Sequence, residues 1–283
     1  MMKLDPQELV RTVEAALRED LGREGDITTD AVIPEDCTGR GCLVARADLV
    51  LAGIPVAREV FNMLDPELKF EELCRDGEDV KAGATVALVS GAAAPILRGE
   101  RTALNFLMRM SGIATLTRSA VNEIAHTKAK ILDTRKTAPG LRMLDKYAVA
   151  AGGAVNHRIG LYDAVLIKDT HLEMAASIAD AVAQALARGC PKEKLTVEVS
   201  SLGQLREAID AGAGRALLDN MDLEAMRKAV GLAAGAIVLE ASGGLRPGSL
   251  AEVAETGVDY LSLGWLTHSV PAADLAMDME GLS

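Results

Sequence analysis

The sequence predicts an α/β protein in which an amino-terminal α+β unit precedes a parallel α/β barrel. From about residue 130 onward, short apolar runs alternate with helical patterns, which is typical of a parallel sheet with buried strands. These βα units recur roughly every 20 to 34 residues, a spacing that fits closure into a barrel. An open doubly wound sheet is the alternative, because periodicity alone does not establish closure.

In the amino-terminal part, helix signals come first and strand signals follow. Asp5 is a capping residue and Pro6 stands at the first helical position, so a helix is predicted to begin there. Strand patterns with turns occupy residues 39–91 and are interrupted by a predicted helix over residues 54–64. Residues 76–86, which contain two glycines, are interpreted as a hairpin.

A long helical pattern over residues 96–125 leads into the barrel, and a break or bend is expected at Ser111-Gly112. The apolar runs that follow are the predicted barrel strands. Glycines stand after several of the intervening helices, where a left-handed carboxyl-terminal cap is expected. The strand runs cover residues 130–133, 164–167, 195–199, 216–218, 236–239 and 258–262.

The composition argues against several classes of function. The chain has 41 acidic and 30 basic residues, and its net charge of −11 disfavours binding to nucleic acid or to a membrane surface. Aromatic residues make up only 2%, too few for base-stacking platforms. The cysteines lack CxxC spacing, and no apolar run approaches the roughly 20 residues of a membrane span, so a cytoplasmic protein is expected.

Residues 101–171 carry a positive charge, unlike the rest of the chain. This segment has 11 Lys and Arg against 5 Asp and Glu, whereas the remainder has 19 against 36. A cationic segment inside an acidic protein indicates a pocket for an anionic ligand.

Each predicted barrel strand ends in polar or glycine residues. Because the carboxyl ends of barrel strands meet at one rim, we expect these residues to form a single ligand site. Cations suited to carboxylates or phosphates lie around the first two strands, with a histidine that can donate or titrate. Carboxylates suited to a magnesium-bound polyphosphate or a developing sugar cation lie on the next two. These residues are Arg135, Lys136, His157, Arg158, Lys168, Glu198 and Asp219.

The loops after the last two strands carry Ser242-Gly-Gly244 and Ser262-Leu-Gly264. Barrels often bind a phosphate at this place through backbone N–H groups and a helix N-terminus. Taken alone, Arg101 on the long helix and His268 after the last strand are interpreted as surface groups.

Ordered motifs extend over nearly the whole chain. They are Gly25-Asp-Ile-Thr28, Glu100-Arg-Thr-Ala-Leu-Asn-Phe-Leu107, Asp133-Thr-Arg-Lys-Thr-Ala-Pro-Gly-Leu-Arg142, Asn156-His-Arg-Ile-Gly-Leu161, Ile167-Lys-Asp169, Leu218-Asp-Asn-Met221, Glu240-Ala-Ser-Gly-Gly244 and Gly264-Trp-Leu-Thr-His-Ser269. In this order the chain resembles the quinolinate phosphoribosyltransferase family of decarboxylating enzymes.

The resemblance implies an amino-terminal α/β sandwich over residues 1–113 and an incomplete, six-stranded-type parallel α/β barrel over residues 114–269. A carboxy-terminal tail, residues 270–283, is expected to return to the first domain. It also implies a homodimer, or a higher oligomer, in which the first domain of one subunit covers the barrel mouth of the other. Arg101 would then contact quinolinate in the partner's site.

The implied reaction transfers phosphoribosyl from phosphoribosyl pyrophosphate to quinolinate, with release of pyrophosphate and CO2, and gives nicotinate mononucleotide for NAD biosynthesis. Mg²⁺ is the expected cofactor, held by Glu198 and Asp219 or only through the pyrophosphate substrate or water. The implied catalytic residues are Lys136, Lys168, Glu198 and Asp219. The implied substrate-binding residues are Arg101, Arg135, Lys136, His157, Arg158, Lys168, Glu198, Asp219, Ser242, Gly243, Gly244, Ser262, Gly264 and His268.

Three positions depart from the family pattern. Met108 stands where a polar residue is expected, Ala154 replaces a glycine before Asn-His-Arg, and Thr170 replaces an asparagine. None is a proposed charge contact, and they bear on the packing near His157.

Alternative functions stay open on the sequence. A paralogous barrel transferase would act on another ring substrate. An aldolase-like barrel would use Lys168 as a Schiff-base lysine, although it would leave Glu198 and Asp219 unused. A non-enzymatic relative would bind the ligands without releasing pyrophosphate.

Overall fold

The computed structural model describes residues 2–282, and the chain divides into two compact units. Unit 1 contains the residues up to Arg118, residues 137–153 and those from Leu266 onward. Unit 2 contains residues 119–136 and 154–265. The chain therefore returns to unit 1 after first leaving it, and neither unit is one continuous stretch of sequence.

Unit 1 is built on a four-stranded antiparallel sheet with helices and a short two-stranded pair. Its strands are β1 Thr38–Ala45, β2 Leu49–Val50, β3 Lys69–Glu72, β4 Asp79–Val80, β5 Thr85–Ala92 and β12 Leu275–Leu282. Its helices are α1 Pro6–Leu21, α2 Ile27–Val32, α3 Ile54–Leu64, most of α4 Ala93–Glu123, α5 Arg142–Ala151 and most of α11 Trp265–His268. The main sheet has the order β12-β1-β5-β3, so the carboxy-terminal strand pairs with the first strand.

The helix signals at the start of the chain are confirmed. The Asp5 carboxylate accepts hydrogen bonds from the backbone N–H groups of Gln7, at 2.9 Å, and Glu8, at 3.0 Å. Helix α1 begins at Pro6, and α3 covers the predicted residues 54–64. Both helices start where a carboxylate accepts free N–H groups and where a proline, which has no N–H, stands in the first turn.

The predicted hairpin over residues 76–86 is wrong. Strand β4 pairs with β2, whereas β5 pairs with β1 and β3. The Asp76 carboxylate accepts the N–H groups of Gly53, at 3.0 Å, and Ile54, at 3.1 Å, at the start of α3. This cap ties the segment to α3, and the glycines that indicated a hairpin instead form turns beside it.

The predicted break at Ser111-Gly112 is also wrong, because α4 runs through it for 31 residues. The Ser111 hydroxyl is buried and hydrogen-bonds to the backbone of Ala52, at 3.0 Å to its nitrogen. A Cβ at position 112 would overlap the carbonyl oxygen of Pro271. The small residues permit close packing on the helix and do not end it.

Unit 2 is a strand–helix alternation. Its strands are β6 Lys130–Leu132, β7 Val165–Ile167, β8 Leu195–Val199, β9 Arg215–Asp219, β10 Val238–Ser242 and β11 Tyr260–Ser262. Its helices are α6 Asp169–Leu172, α7 Ile178–Ala187, α8 Leu202–Asp210, α9 Leu223–Ala233 and α10 Leu250–Ala254, with a 3-10 turn at Lys192–Lys194. Each of the six apolar runs expected as barrel strands overlaps one of these strands, although β9 extends beyond its run at both ends and β10 begins two residues later than expected and ends at Ser242.

The strand order β6-β11-β10-β9-β8-β7 establishes the barrel, and every neighbouring pair is parallel. The first strand of the unit pairs with the last, which is the cyclic order of a barrel and not that of a doubly wound sheet. Within residues 2–282, the ring stays open between β6 and β7, where one bridge joins Leu132 and Val155. The incomplete barrel is confirmed, and the open doubly wound alternative is wrong.

The strand residues that alternate with the cavity-lining ones are aliphatic and buried, on the side of the strands that faces away from the cavity. Val197, Ala216, Leu218, Leu239 and Leu261 are each at most 2% exposed. Burial of such side chains stabilises the fold by about 25 cal/mol per Å² of apolar surface. Across residues 2–282, no helix combines the length and apolar content that a membrane crossing requires.

Candidate active site

The carboxyl ends of the barrel strands surround a cavity of about 220 Å³ within unit 2. This volume lies below the roughly 300–1,000 Å³ of drug-sized ligand sites, and it suits small polar molecules. The cavity brings together cations, a histidine, carboxylates and hydroxyls from every strand of the barrel. It is lined by Thr134, Arg135, Lys136, His157, Arg158, Leu166, Lys168, Glu198, Leu217, Asp219, Glu240, Ser242 and Ser262.

Two guanidinium groups lie close together on one side of the cavity. Burial lowers the pKa of Arg158, the charge of Arg135 lowers it further, and Asp163 opposes the shift. Arg158 is anchored through Nη1, which donates to the carbonyl oxygen of Ala164 at 3.0 Å. The Nε of Arg135 is buried and has no hydrogen-bond partner among the described residues. An unsatisfied buried donor beside a second cation is the arrangement that an anionic ligand would stabilise.

Carboxylates form the second group of charges in the cavity. Burial raises the pKa of Glu198, and the negative charges of Asp219 and Asp169 raise it further. Lys168 and Lys136 oppose this shift, so cations and carboxylates lie within electrostatic reach of each other. Two adjacent carboxylates can stabilise positive charge that develops on a ligand.

The loop after β10 depends on its glycines. Asn220 adopts a left-handed conformation with φ 52°, and its backbone N–H donates to the carbonyl oxygen of Ser242 at 2.9 Å. Its side-chain amide donates to Asp219 Oδ2 at 3.0 Å. A Cβ at position 243, where φ is +90°, would overlap Asn220 Oδ1. Gly243 therefore lets Asn220 approach and orient the Asp219 carboxylate.

Asp133 positions two segments of the cavity wall, a role that the sequence pattern did not predict. Its side chain is fully buried directly after β6. Oδ2 accepts from the side-chain amide of Asn156 at 2.8 Å, and Oδ1 accepts from the backbone N–H of His157 at 2.7 Å. Asp133 thereby fixes the segment that carries His157 and Arg158. An acidic residue at the end of an apolar strand, beside Arg135, was the signal available in the sequence.

Glu240 is the second such residue. It lies in the middle of β10 with no exposed surface, and it lines the cavity. Its carboxylate accepts from Ser262 Oγ at 2.6 Å and lies 3.5 Å from His157 Nε2 and 3.4 Å from Arg215 Nη1. A charged residue inside an otherwise apolar strand was the signal for this role.

Among the described residues, several of the predicted site residues do not line the cavity. Arg101 is exposed on α4, and His268 is exposed with its Nδ1 2.6 Å from Ser269 Oγ; both belong to unit 1. Gly243, Gly244 and Gly264 follow the lining strands without contributing to the lining themselves. Their roles stay predictions.

At two of the three departures from the family pattern, the backbone makes the hydrogen bond. The carbonyl oxygen of Met108 accepts from Ala273 at 2.8 Å, and the backbone N–H of Thr170 donates to Asp169 Oδ1 at 2.6 Å. Ala154 directly precedes the bridge residue Val155.

Solved structures and named relatives resemble this chain over nearly its full length. NadC from Streptococcus pyogenes superimposes with a TM-score of 0.95 at 38% identity, covering 100% of both chains. A rice (Oryza sativa subsp. japonica) chloroplastic nicotinate-nucleotide pyrophosphorylase (carboxylating) is 41% identical, covering 96% of this chain and 78% of the relative. A Bacillus subtilis (strain 168) protein named "Probable nicotinate-nucleotide pyrophosphorylase" is 43% identical, covering 92% and 90%.

Family models match both parts of the chain. The N-terminal domain of quinolinate phosphoribosyl transferase matches residues 26–111, and its C-terminal domain matches residues 113–278. Together with the barrel and its charged cavity, these matches establish that the chain belongs to the quinolinate phosphoribosyl transferase family.

Proposed function

We propose that this protein transfers phosphoribosyl from phosphoribosyl pyrophosphate to quinolinate with loss of one carboxylate, giving nicotinate mononucleotide, pyrophosphate and CO2. The observation that carries the proposal is the pairing of Arg135 and Arg158 in the cavity, with the Arg135 Nε buried and unpaired. A pyridine dicarboxylate presents two anions to such a pair, and guanidinium forks bind carboxylates in a bidentate manner. The names of the relatives support the same reaction.

Orientation is the first contribution of the cationic side. Arg135 and Arg158 bind the quinolinate carboxylates and hold the ring nitrogen toward the sugar carbon that it attacks. Holding two reactants in this way converts a bimolecular step into an effectively unimolecular one. Lys136 and Lys168 stabilise the anions of the pyrophosphate substrate.

The acidic side acts on the sugar. When the bond between C1 and the pyrophosphate oxygen breaks, the electron pair leaves with pyrophosphate and positive charge develops on the ribose. Glu198 and Asp219 stabilise this charge, and the ring nitrogen then forms the new bond to C1. The quaternary nitrogen withdraws electrons, so the neighbouring carboxylate leaves as CO2 and the ring carbon takes a proton from solvent.

Mg²⁺ is part of the proposal. Glu198 and Asp219 are oxygen donors of the kind that Mg²⁺ prefers, but residues 2–282 contain no group of three His, Cys, Asp or Glu side chains placed to hold a metal ion. The donor set therefore fits an ion that the pyrophosphate substrate and water complete, and such an ion neutralises the leaving group when bound.

The loops after β10 and β11 are proposed to hold the sugar phosphate. Ser242 and Ser262 line the cavity, and positive φ angles at Gly243 and Gly244 turn the chain immediately after Ser242. Successive backbone N–H groups in such turns form concave anion sites. We place Gly264 in the same phosphate subsite.

A shared site between subunits is also proposed. Arg101 is exposed on α4, and a homodimer that covers the barrel mouth of its partner would bring it to quinolinate there. The exposed His268 is assigned to the substrate site on the family resemblance. We propose a cytoplasmic location for this protein, with no nucleic-acid or membrane partner.

Pyrophosphate release tests the proposal most directly. The protein is incubated with phosphoribosyl pyrophosphate, Mg²⁺ and quinolinate, with nicotinate and nicotinamide in parallel, and CO2 is measured as a second product. Of the three pyridine compounds, only quinolinate is expected to give release of both products. Chelation of Mg²⁺ should stop this release without lowering Tm. Release with nicotinate and not with quinolinate would overturn the substrate assignment.

A further inference from the structure

We infer that Glu240 is a positioning residue that holds His157 as the neutral tautomer with its proton on Nε2. The imidazole then serves as a brace between β10 and the segment that carries Arg158, and not as a general acid or base. The tautomer follows from contacts within unit 2; only the kinetic consequence rests on the proposed function.

The Nδ1 atom of His157 is occupied by the backbone. The N–H of Arg158 donates to it at 2.7 Å. A ring nitrogen that accepts a hydrogen bond must present its lone pair, so Nδ1 carries no proton. Protonation of the ring would place two donors against each other at this contact, and the geometry therefore favours the neutral ring.

The Nε2 atom faces a carboxylate. Glu240 has no exposed surface, the His157 side chain is 12% exposed, and 3.5 Å separates Glu240 Oε1 from Nε2. Burial alone would raise the pKa of Glu240, but hydrogen bonds from His157 and from the Ser262 hydroxyl, together with the charge of Arg215, lower it below its ordinary value. An ionised carboxylate only accepts hydrogen bonds, so the proton of the ring lies on Nε2.

The two carboxylate oxygens have separate partners. Oε1 faces His157 and accepts from Ser262 Oγ at 2.6 Å, whereas Oε2 lies 3.4 Å from Arg215 Nη1. The Arg215 guanidinium also stacks on the Tyr260 ring, 4.6 Å from its centroid. The carboxylate is therefore held from β9 and β11 on both sides of β10, which fixes the direction in which it presents Oε1.

His157 links Glu240 to Arg158, one of the two paired guanidinium residues of the cavity. Its contact at Nδ1 fixes the Arg158 backbone, and the Arg158 side chain is fixed at its far end by Ala164. With both ring nitrogens directed at protein groups, Glu240 reaches the carboxylate-binding side of the cavity through His157 and Arg158. Loss of Glu240 should therefore weaken binding of the pyridine substrate more than binding of phosphoribosyl pyrophosphate.

Nitrogen NMR tests the tautomer without any substrate. The chain has four histidines, so protein labelled with ¹⁵N-histidine gives few signals, and His157→Asn assigns the one of interest. At neutral pH we expect a protonated Nε2 and an unprotonated Nδ1 at His157, and mixed tautomers in Glu240→Ala. An imidazolium or an Nδ1-protonated ring in the wild-type protein would overturn the inference, as would unchanged shifts in the variant.

Kinetics separate positioning from simple stability. Glu240→Ala should raise KM for quinolinate about tenfold, the effect of losing one charged hydrogen-bonding group, and change KM for phosphoribosyl pyrophosphate less than about threefold. Glu240→Gln keeps the size and one carbonyl oxygen, and it should restore most of the difference. Arg215→Met removes the partner of Oε2 while Ser262 still holds Oε1, so it should lower Tm but change the His157 shifts and KM less than Glu240→Ala does.

The outcomes remain distinct from those of the proposed function. Equal loss of Tm in Glu240→Ala and Arg215→Met, with wild-type KM and nitrogen shifts in both, would assign Glu240 a structural role only and overturn the inference. If the wild-type protein releases no pyrophosphate with quinolinate, the proposed function fails while the nitrogen shifts still decide the tautomer.

Discussion

Replacing Arg135 with methionine should stabilise the ligand-free protein and weaken catalysis at the same time. The Nε of Arg135 is buried without a partner, and its charge lies beside that of Arg158. A buried unsatisfied donor costs about 1–3 kcal/mol, and methionine keeps the apolar stem while removing the donor. For a chain of this size that gain corresponds to a rise in Tm of about 2–6 °C.

The same substitution should weaken catalysis although it stabilises the protein. Hydrogen bonds to charged groups contribute about 1.5–3 kcal/mol, so kcat/KM for quinolinate should fall about 10- to 150-fold. Arg135→Lys keeps the charge without the planar fork, so its kcat/KM should lie between the wild-type value and that of Arg135→Met. Arg206→Met, on the exposed face of α8, is the matched control and should change neither quantity. A lower Tm with near-normal kinetics in Arg135→Met would refute the reasoning, because Arg135 would then be a structural residue.

Other substitutions test other parts of the molecule. Asp145 is fully buried and accepts two hydrogen bonds from Arg109, each of 2.8 Å, so Asp145→Asn should cost about 3–5 kcal/mol in urea unfolding. The pKa of Glu198 is raised, so kcat/KM should fall as the pH decreases through a value above that of an ordinary glutamate; Glu198→Gln should abolish this limb of the profile, and its persistence would contradict the assignment. Gly243→Ala should cut activity at least about tenfold, because a Cβ there meets the neighbouring asparagine, whereas Gly231→Ala, with open space around it, should leave activity unchanged.

The βα units and the ring of polar residues at the strand ends were accessible from sequence because both depend on local patterns. Apolar runs locate strands, and the residue that follows a run lies at the strand's carboxyl end. That rule predicted that Lys168 and Asp219 share one site. Both line the same cavity, although 50 residues separate them in the sequence. The strand order was not accessible, because pairing of β6 with β11 is a long-range contact that no local pattern encodes.

The errors and omissions have the same origin. Ser111 and Gly112 were interpreted as helix-breaking because their packing partners, Ala52 and Pro271, lie far away in the sequence. No role was predicted for Glu240, because its contacts are made with donors from three other segments. A residue whose partners are all distant looks from the sequence like a solvated charge.

Asp133 explains why two separate cationic motifs act as one site. It directly follows β6 and precedes Arg135 by two positions, yet its carboxylate binds Asn156 and His157 more than twenty residues later. The bridge between Leu132 and Val155 aligns the same two segments. The proposed recognition unit is therefore this buried carboxylate together with both segments, because it ties the segment of Arg135 to that of Arg158. Backbone that is held in this way, together with the Ala164 carbonyl oxygen at the Arg158 guanidinium, keeps two mutually repelling guanidinium groups side by side.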